Sequence, residues 1–437
     1  MRELIRQKII DAQTATILPF TRRTIYVPKI KGKAIAVIGP RRGGKTTFLW
    51  QTLADRVAAG TDRAGLLYFN FEDERLAEMT ANELQWVLEE YYILQPEWRD
   101  RQRALFLFDE IQIVRGWEGF TRRILDTESI ELFISGSSAR MLSREVATNM
   151  RGRAMEALVF PFSFCERLRH YQMEPEVAID RLPKADRSAI EKQMRDYLVE
   201  GGFPEAQGAS IRDRFELLRS YVDTTLLRDI VERHNISNPT ALRWMVRHLL
   251  ANAGAPFSIN KFHRDLHSQG IAVSKETLHA YLEYLEDAFL IRTLSIATDS
   301  ERSRTANPRK AYPIDPALIP IFDRTSRSNT GHALETVVLL ELERRGAQIT
   351  YVRTEDDFEV DFLAHYPDGR QELIQVAATI EDATTRQREV RGLLAAQKAF
   401  PQASLHLLTL ALDGLPDLPA EIDAQRASSW LLQNENL

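Results

Sequence analysis

The stretch from Ile35 to Gln51, IAVIGPRRGGKTTFLWQ, constrains the fold more than any other part of the chain. A short apolar run closes at a glycine, which predicts a buried strand. The residues from Lys45 onward predict a helix. A strand, a glycine-rich turn and a helix in this order predict a βα unit of a parallel sheet.

The same alternation continues up to about residue 165. Apolar runs in GLLYFNFED, RALFLFDE and IELFISGSS predict three more strands, and ANELQWVLEEYYIL and EGFTRRILD predict helices between them. Strands that alternate with helices indicate a parallel sheet covered on both faces. Beyond this point the pattern becomes helical, and it returns to mixed α/β after about residue 331, with strands near 348–353, 358–364, 371–377 and 403–411.

Composition limits the class of protein. The 437 residues are 44% apolar and 27% charged, as expected of a globular protein with roughly three domains. One cysteine, Cys165, excludes a disulfide framework and a cysteine zinc site. No apolar run approaches the ~18 residues of a membrane helix, and the start MRELIRQKIIDAQ lacks the apolar core of a signal peptide. We therefore expect a cytoplasmic protein without membrane contact.

The glycine-rich turn fits G-x-x-x-x-G-K-[ST], a phosphate-binding loop. Its backbone N–H groups would face the phosphates, Lys45 would reach the β and γ oxygens, and Thr46 would offer its hydroxyl to Mg²⁺. The motif therefore predicts a site for ATP and Mg²⁺. The expected nucleotide-binding residues are Gly39, Pro40, Arg41, Arg42, Gly43, Gly44, Lys45, Thr46 and Thr47.

A second part of such a site should lie on a neighbouring strand that ends in an acid. The run ALFLFDE supplies Asp109 to hold Mg²⁺ and Glu110 to polarise the attacking water. The alternative is that the two acids merely end a strand at the solvent.

Two further groups are candidates for catalysis. The fourth strand ends in FISGSS, where Ser135 and Ser137 could touch the γ-phosphate or the water, although a serine-rich turn explains them equally well. Arg151 and Arg153 follow at the interval where ring ATPases place an arginine that reaches the next subunit's site. A solvated basic turn or an internal salt bridge is the alternative for this pair.

Several motifs in order resemble a known family: GPRRGGKTT, LYFNFED, LFDEIQIVRGWEGFTRRILD, ISGSSARMLSRE, RGRAMEALVFPFSF and YLVEGGFPEA. Together they resemble the AAA-family ATPases of bacteria and archaea with a C-terminal domain of unknown function. The resemblance implies an α/β fold: a P-loop AAA+ parallel sheet with a helical lid, a winged-helix-like segment and a C-terminal α/β domain similar to restriction endonucleases. The expected segments are a lead-in at 1–32, the core at 33–165, the lid at 166–235, the winged-helix-like segment at 236–304 and the last domain at 305–437.

The winged-helix-like segment is a candidate for DNA binding. The helix in SKETLHAYLEYLEDAF follows a glycine-containing turn, as a recognition helix does. The candidate residues are Lys261, His263, Arg264, Ser274, Lys275 and Thr277, together with Arg302, Arg304, Arg309 and Lys310 of a connection that we expect to be exposed. The same helix carries Glu276, Glu283, Glu286 and Asp287, so a protein–protein joint is the alternative.

The last domain lacks the full set of nuclease residues. Asp361 and Glu335 match the first acid and the helix acid of restriction-like nucleases, but the second acid and the lysine fall on Gln375 and Ala377. Glu372 points to the opposite face of its strand. We therefore predict a binding or assembly module without cleavage, and plain packing of a β-hairpin explains Asp361 and Gln375 as well.

Three hypotheses for function follow. The first is a homo-oligomeric ring, most simply a hexamer, that uses ATP and Mg²⁺ to translocate on DNA or remodel it, such as branched DNA. The net charge of −5 argues against tight nucleic-acid binding by a monomer but allows a ring to gather local basic patches. The second is a nucleotide-dependent switch that acts on a protein partner, and the third is an ATP-gated nuclease.

Overall fold

The computed structural model describes residues 1–136, 150, 152–323, 329–412 and 418–433. The chain divides into two compact units, Met1–Phe160 and Pro161–Leu437. The division near 160 is close to the expected boundary at 165, but the expected boundaries at 235 and 304 both lie inside the second unit.

The expected parallel sheet is confirmed in the first unit. It has five strands, one more than the four expected. Its strands are β1 Ala34–Ile38, β2 Leu66–Asn70, β3 Ala104–Asp109, β4 Ile130–Ser135 and β5 Ala154–Leu158. All pairs are parallel, in the order β2-β3-β4-β1-β5. The expectation that Asp109 lies on a strand next to the phosphate loop is wrong, because β4 lies between β1 and β3.

Helices of the first unit are α1 Arg2–Thr14, α2 Lys45–Ala58, α3 Leu84–Leu94 and α4 Trp117–Thr127. The lead-in is part of this unit, because α1 buries Ile5 and Ile9. It also forms ion pairs with the body of the unit, from Lys8 to Asp73 at 2.7 Å and from Arg6 to Glu90 at 2.7 Å. Residues 1–32 are therefore not a separate segment.

The second unit is helical at first and mixed later. Its helices are α5 Phe164–His170, α6 Lys184–Glu200, α7 Ile211–Thr224, a π-helix Thr225–Glu232, α8 Pro239–Ala251, α9 Ile259–Ser268, α10 Lys275–Asp287, α11 Glu301–Ala306, α12 Leu318–Phe322, α13 Thr330–Arg344, α14 Ala383–Ala399 and α15 Ala427–Leu431. Its strands are β6 Pro256–Phe257, β7 Ile291–Leu294, β8 Arg309–Pro313, β9 Gln348–Arg353, β10 Glu359–His365, β11 Gln371–Ala377, β12 Ser404–Thr409 and β13 Ile422–Arg426.

A small antiparallel sheet with the order β6-β8-β7 accompanies α8, α9 and α10. Its middle strand, β8, lies beyond residue 304, in the stretch expected to be an exposed basic connection. The expected boundary at 304 would separate β8 from the two strands with which it forms hydrogen bonds.

The larger sheet of the second unit has the order β13-β12-β11-β10-β9. Strands β9, β10 and β11 pair antiparallel, and β11, β12 and β13 pair parallel. One apolar core runs from Phe164 on α5 to Leu431 on α15 and includes residues of α6, α13 and both sheets. This shared core explains why the second unit does not divide at 235 or 304.

Among the described residues, no helix is both long enough and apolar enough to span a bilayer.

Candidate functional site

The glycine-rich turn joins β1 to α2 and is held close to β5. A Cβ at position 39 would lie 2.0 Å from the carbonyl oxygen of Val159, so only glycine fits there. Gly44 precedes α2 with φ 101°, a left-handed conformation that glycine adopts without strain. The loop geometry therefore depends on both glycines.

The side chains that follow the loop lie where a phosphate ligand would meet the helix end. Lys45 is the first residue of α2 and is 6% exposed. Its Nζ donates to the carbonyl oxygens of Gly39 at 3.1 Å and Pro40 at 2.9 Å. Thr46 and Thr47 are exposed at the N-terminus of α2, where N–H groups and the helix dipole favour an anion.

The two arginines of the loop are both accessible, but differ in conformation. Arg41 is partly exposed, and Arg42 is exposed with φ 61°.

The segment before β1 braces the loop through Arg23, which the sequence did not single out. Its guanidinium donates from Nη1 to the carbonyl oxygen of Gly43 at 2.8 Å and from Nη2 to the carbonyl oxygen of Phe160. Its backbone is held by Gln51 of α2, which accepts from the Arg23 N–H at 2.7 Å and donates to its carbonyl at 3.0 Å. Nothing in the local sequence signals this contact, because it joins residues 20 positions apart or more.

Asp109 is buried at the carboxyl end of β3, and hydroxyl groups hold both its carboxylate oxygens. Tyr68 donates to Oδ2 at 2.8 Å, and Ser135 donates to Oδ1. Burial and the Asp109 carboxylate raise the pKa of Tyr68, so this hydroxyl stays protonated as a donor. Asp109 is therefore oriented from two neighbouring strands.

Ser135, a candidate for contact with phosphate or water, forms hydrogen bonds with the two acids. Its hydroxyl donates to Asp109 and accepts from the backbone N–H of Glu110 at 3.1 Å. It is fully buried at the end of β4. Ser135 thus positions both acids.

Glu110 follows in a left-handed conformation with φ 54°, which is unusual for a side-chain-bearing residue. Burial raises the pKa of its carboxyl group, while the charge of Lys45 and a hydrogen bond from Gln112 oppose the shift. Because β4 pairs in parallel with both β1 and β3, the carboxyl ends of β1 and β3 lie at the same edge of the sheet. Gln112 is a second residue that the sequence did not single out.

The side-chain oxygens at the carboxyl edge of the first sheet are suited to bind Mg²⁺ together with the phosphates of a nucleotide. Each oxygen of Asp109 has a lone pair left after the bonds from Tyr68 and Ser135, so the carboxylate can accept from a metal-bound water. Mg²⁺ in nucleotide sites needs few protein ligands, since phosphates and waters supply the rest. Thr46 would be the hydroxyl ligand.

The remaining catalytic candidates are Ser137, Arg151 and Arg153. Ser137 and Arg151 lie outside the described residues. Arg153 forms a salt bridge with Asp126 at the end of α4, which is the internal pairing that the sequence left open.

The candidates for DNA binding lie in the small sheet and its helices. Lys261 and Arg264 are exposed on α9, and Lys275 is exposed on α10. Ser274 and Thr277 instead form the cap of α10, where the Ser274 hydroxyl accepts from the Thr277 N–H at 3.1 Å.

The stretch expected as an exposed connection contains α11 and β8. Arg304 pairs with Glu301 of α11 at 2.7 Å, and Arg309 lies 3.9 Å from Glu286. Arg302 is exposed, whereas Lys310 is only 2% exposed. The expectation that Lys310 is exposed is wrong, because β8 is the middle strand of its sheet.

Lys310 instead points to the carboxylates expected of a nuclease. Its Nζ lies 3.2 Å from Oδ1 of Asp361 and 2.6 Å from Glu359 on β10. The negative charges of Asp361, Glu335 and Glu359 raise the pKa of Lys310, although its burial opposes this. A lysine therefore does reach Asp361, but from β8 and not from position 377.

The rest of that cluster is also satisfied within the protein. Oδ2 of Asp361 accepts from the N–H of Val376 at 3.0 Å, and Glu335 accepts from the Tyr312 hydroxyl at 3.1 Å. Gln375 is buried beside them, and its Oε1 lies 3.4 Å from the N–H of Asp361. No group of three or more His, Cys, Asp or Glu side chains in the described ranges is arranged to hold a metal. These residues do not fit a divalent cation, since the Lys310 ammonium already bridges Asp361 and Glu359.

Comparison with known proteins places these features in a family. A profile described as an AAA domain matches residues 31–168, and one described as a domain of unknown function (DUF8612) matches residues 191–328. The uncharacterized protein MJ1544 of Methanocaldococcus jannaschii is 33% identical over 94% of this chain and 88% of its own length. An uncharacterized protein of Haemophilus influenzae is 27% identical over 80% of this chain and 83% of its own.

Among solved structures, the Walker-type ATPase PABY2304 of Pyrococcus abyssi covers 74% of this chain and 95% of its own, at 16% identity and a TM-score of 0.39. The five-stranded parallel sheet and its phosphate loop agree with the AAA profile over the same residues. The similarity to MJ1544 covers nearly the whole chain and so extends beyond the residues that the AAA profile matches. This chain therefore belongs to the MJ1544 family, and its first part is an AAA domain.

Proposed function

We propose that this protein hydrolyses ATP with Mg²⁺ at the carboxyl edge of the first sheet. The observation that carries the proposal is the grouping of Lys45, Asp109 and Glu110 there, with Asp109 fixed by two hydroxyl groups. A glycine-rich loop alone would support only anion binding. The two acids add a metal ligand and a base.

Each residue has one task in this proposal. The loop N–H groups and Lys45 bind the β and γ phosphates, and Thr46 with Asp109 would hold Mg²⁺. The bound Mg²⁺ would neutralise charge that develops on the phosphates. Glu110 accepts a hydrogen bond from the attacking water and orients it, and Ser135 fixes the backbone from which Glu110 projects.

Two variants separate binding from hydrolysis. We expect Lys45→Ala to lose nucleotide binding, measured with a fluorescent ATP analogue. We expect Glu110→Gln to bind the analogue normally and to lose phosphate release. Glu78→Gln is the matched control, since Glu78 is exposed in the same unit. Normal hydrolysis by Glu110→Gln would overturn the assignment of the base.

We further propose that ATP hydrolysis drives movement on DNA or remodelling of DNA by a homo-oligomeric ring. The support is the small sheet β6-β8-β7 with α8, α9 and α10, an order of elements that suits a winged-helix module. Exposed Lys261, Arg264 and Lys275 on this module offer contacts to phosphates.

The test of this second proposal is the response of ATPase rate to DNA. We expect single-stranded, duplex or branched DNA to raise the rate, and added salt to remove the increase steeply. Images of particles with ATP and DNA would show whether a ring forms. An ATPase rate that ignores all three forms of DNA would count against a DNA motor.

One observation favours a slower, switch-like ATPase as the alternative. Arg153, the described candidate for an arginine that reaches a neighbouring site, is paired with Asp126 in its own chain. Without an arginine at the γ-phosphate, hydrolysis is slow. Tight retention of nucleotide and no response to DNA would favour this switch.

A further inference from the structure

We propose that the outer face of α8 and the start of α9 form a binding surface for single-stranded nucleic acid. This α8–α9 surface consists of Arg243, Trp244, Arg247, Lys261 and Arg264. The proposal deepens the DNA-acting part of the proposed function and rests on it. Lys261 and Arg264 are also candidates from the sequence, whereas Arg243, Trp244 and Arg247 are not.

Helix α8 has two faces of opposite character. Its inner face is buried and apolar, and consists of Ala241, Leu242, Met245, Val246, Leu249 and Leu250. Its outer face exposes Arg243, Trp244, Arg247 and His248. No acidic residue occurs between Pro239 and Ala251, so the two arginines are not neutralised within the helix.

Trp244 is the unusual member of this face. Its side chain is 45% exposed, although tryptophan is mostly buried in folded proteins. In the described part of the chain, it has no hydrogen bond and no ring contact. Arg243 and Arg247 are one turn apart on α8, and both lie beside Trp244 on its exposed face. A planar ligand that stacks on the indole would therefore lie near two guanidinium groups.

The basic surface continues onto α9. The ring of His248, next to Arg247, lies 5.3 Å from the ring of Phe262 on α9. Lys261 and Arg264 flank Phe262 and are exposed. No ion pair engages these two or the arginines of α8 within the described ranges. Asp265 is the one acid that α9 contributes.

Helix α10 lacks these properties. It carries Lys275 as its basic residue against four acids, Glu276, Glu283, Glu286 and Asp287. Such a helix repels phosphates over most of its length. The charges of these helices therefore favour α8 and α9 over α10 as the binding surface.

Exposed aromatic and basic side chains together fit unpaired bases better than a duplex. An indole can stack on a base only when that base is not stacked on its neighbours in a duplex. Removal of an aromatic side chain that stacks in this way weakens binding substantially. Arginine and lysine bind the phosphates of any strand and make binding sensitive to salt. Both RNA and DNA single strands supply this chemistry.

The experiment measures binding directly, without relying on ATPase activity. A labelled oligo-dT of about 20 nucleotides, long enough for more than one site of this kind, is titrated with the full chain across a series of salt concentrations. We expect Trp244→Ala to weaken binding about 5- to 100-fold. We expect Arg243→Glu and Arg247→Glu each to lower the salt slope by about one or more.

Control variants show whether the effect belongs to this surface. Lys192→Glu makes the same charge change at an exposed position of α6 and should leave binding unchanged. Trp244→Phe keeps an aromatic ring and should retain most of the affinity. Circular dichroism checks the fold of each variant. Oligo-rU and duplex DNA are parallel ligands, and we expect oligo-rU to resemble oligo-dT and the duplex to bind more weakly.

Three results would overturn the proposal. The first is a wild type that binds neither oligo-dT nor oligo-rU. The second is a wild type that binds while the α8 variants bind equally well. The third is a loss of binding in Lys275→Glu but not in Arg247→Glu, which would place the contact on α10. Binding that depends on Trp244 but leaves the ATPase rate unchanged would count against the DNA motor and leave the surface standing.

Discussion

At the scale of single residues, the phosphate edge of the first sheet is organised by hydroxyl groups around Asp109. Tyr68 and Ser135 each occupy one carboxylate oxygen, and Ser135 also receives the N–H of Glu110. One serine thus holds both Asp109, the proposed metal ligand, and Glu110, the proposed base. A network of this kind preorganises the site, because outer partners orient the groups that touch the ligand.

We predict that Tyr68→Phe weakens the use of Mg²⁺. Removing the hydroxyl leaves Oδ2 of Asp109 without its donor while the packing of the ring on Trp50, 4.6 Å away, is kept. The Mg²⁺ concentration for half-maximal ATPase should rise roughly 10- to 100-fold. Tyr91→Phe is the control, because the Tyr91 hydroxyl bonds to the carbonyl of Ala64 away from the site. An unchanged Mg²⁺ requirement in Tyr68→Phe would show that Asp109 needs no such support.

The raised pKa of Glu110 predicts how stability varies with pH. Burial makes the folded protein hold this proton more tightly than the unfolded chain. Ionisation therefore costs stability as pH rises from the ordinary glutamate pKa of about 4.3 through the raised value in the folded protein. Glu110→Gln should melt at a higher temperature than wild type at neutral pH, and the gap should close below about pH 4.

The check is a series of thermal melts between acid and neutral pH, with Glu78→Gln in parallel. A gap that stays constant with pH would mean that the charge of Glu110 does not cause it.

At the scale of elements, the sequence predicts some parts of the fold well and others poorly. Strands β1 and β3 are short apolar runs that are buried on both faces, and the predictions of them hold. Strand β5 was missed, because Ala154–Leu158 buries only one residue fully and carries Glu156 exposed. The order of strands could not be predicted, since it is set by crossovers and not by local pattern.

In the candidate site, too, the sequence predicts some residues and misses others. A motif of fixed spacing found the phosphate loop, and an apolar run found Asp109 and Glu110. Tyr68, Arg23 and Lys310 act through partners far away in sequence, so no local spacing marks them. Lys310 in particular reaches Asp361 across 51 positions and from another sheet.

The pair of Lys310 with Asp361 predicts a large effect on stability. Lys310→Met keeps the length of the side chain and leaves buried carboxylates without their cation. Removing one partner of a buried pair costs about 3–5 kcal/mol, measured as the free energy of unfolding in urea. Arg353→Met removes an exposed pair with Asp357 and should cost less than about 1 kcal/mol.

Asp361→Asn combined with Lys310→Met should recover part of the loss, because fewer buried charges remain unpaired. Equal stability of Lys310→Met and wild type would contradict the placement of Lys310.

At the scale of the whole molecule, the two compact units contain different structural features. The first contains the phosphate loop and its acids, and the second contains both further sheets, which share one apolar cluster. The winged-helix-like segment and the last domain, which the sequence separates at 304, share this core. Their separation was predicted from resemblance, and the shared packing of α6 with α13 carries no mark in the sequence.

The shared core predicts which fragments fold. Residues 161–437 should give a single cooperative melt, because Met194 and Tyr197 of α6 remain packed with Leu334 and Val338 of α13. Residues 305–437 should not fold alone, because β8 loses β6 and β7 and α13 loses α6. Circular dichroism and urea titration of both fragments test this. A cooperative melt of the shorter fragment would restore the boundary at 304.

Arg23 has a practical consequence for any truncated form of the protein. The AAA profile starts at residue 31, so an expression fragment cut at that point looks complete by sequence. It would lack the Arg23 guanidinium, which donates a hydrogen bond to the carbonyl of Gly43, and helix α1, which buries Ile5 and Ile9. A weak nucleotide affinity measured on such a fragment would reflect the loss of the Arg23 contact and not the affinity of the loop in the full chain.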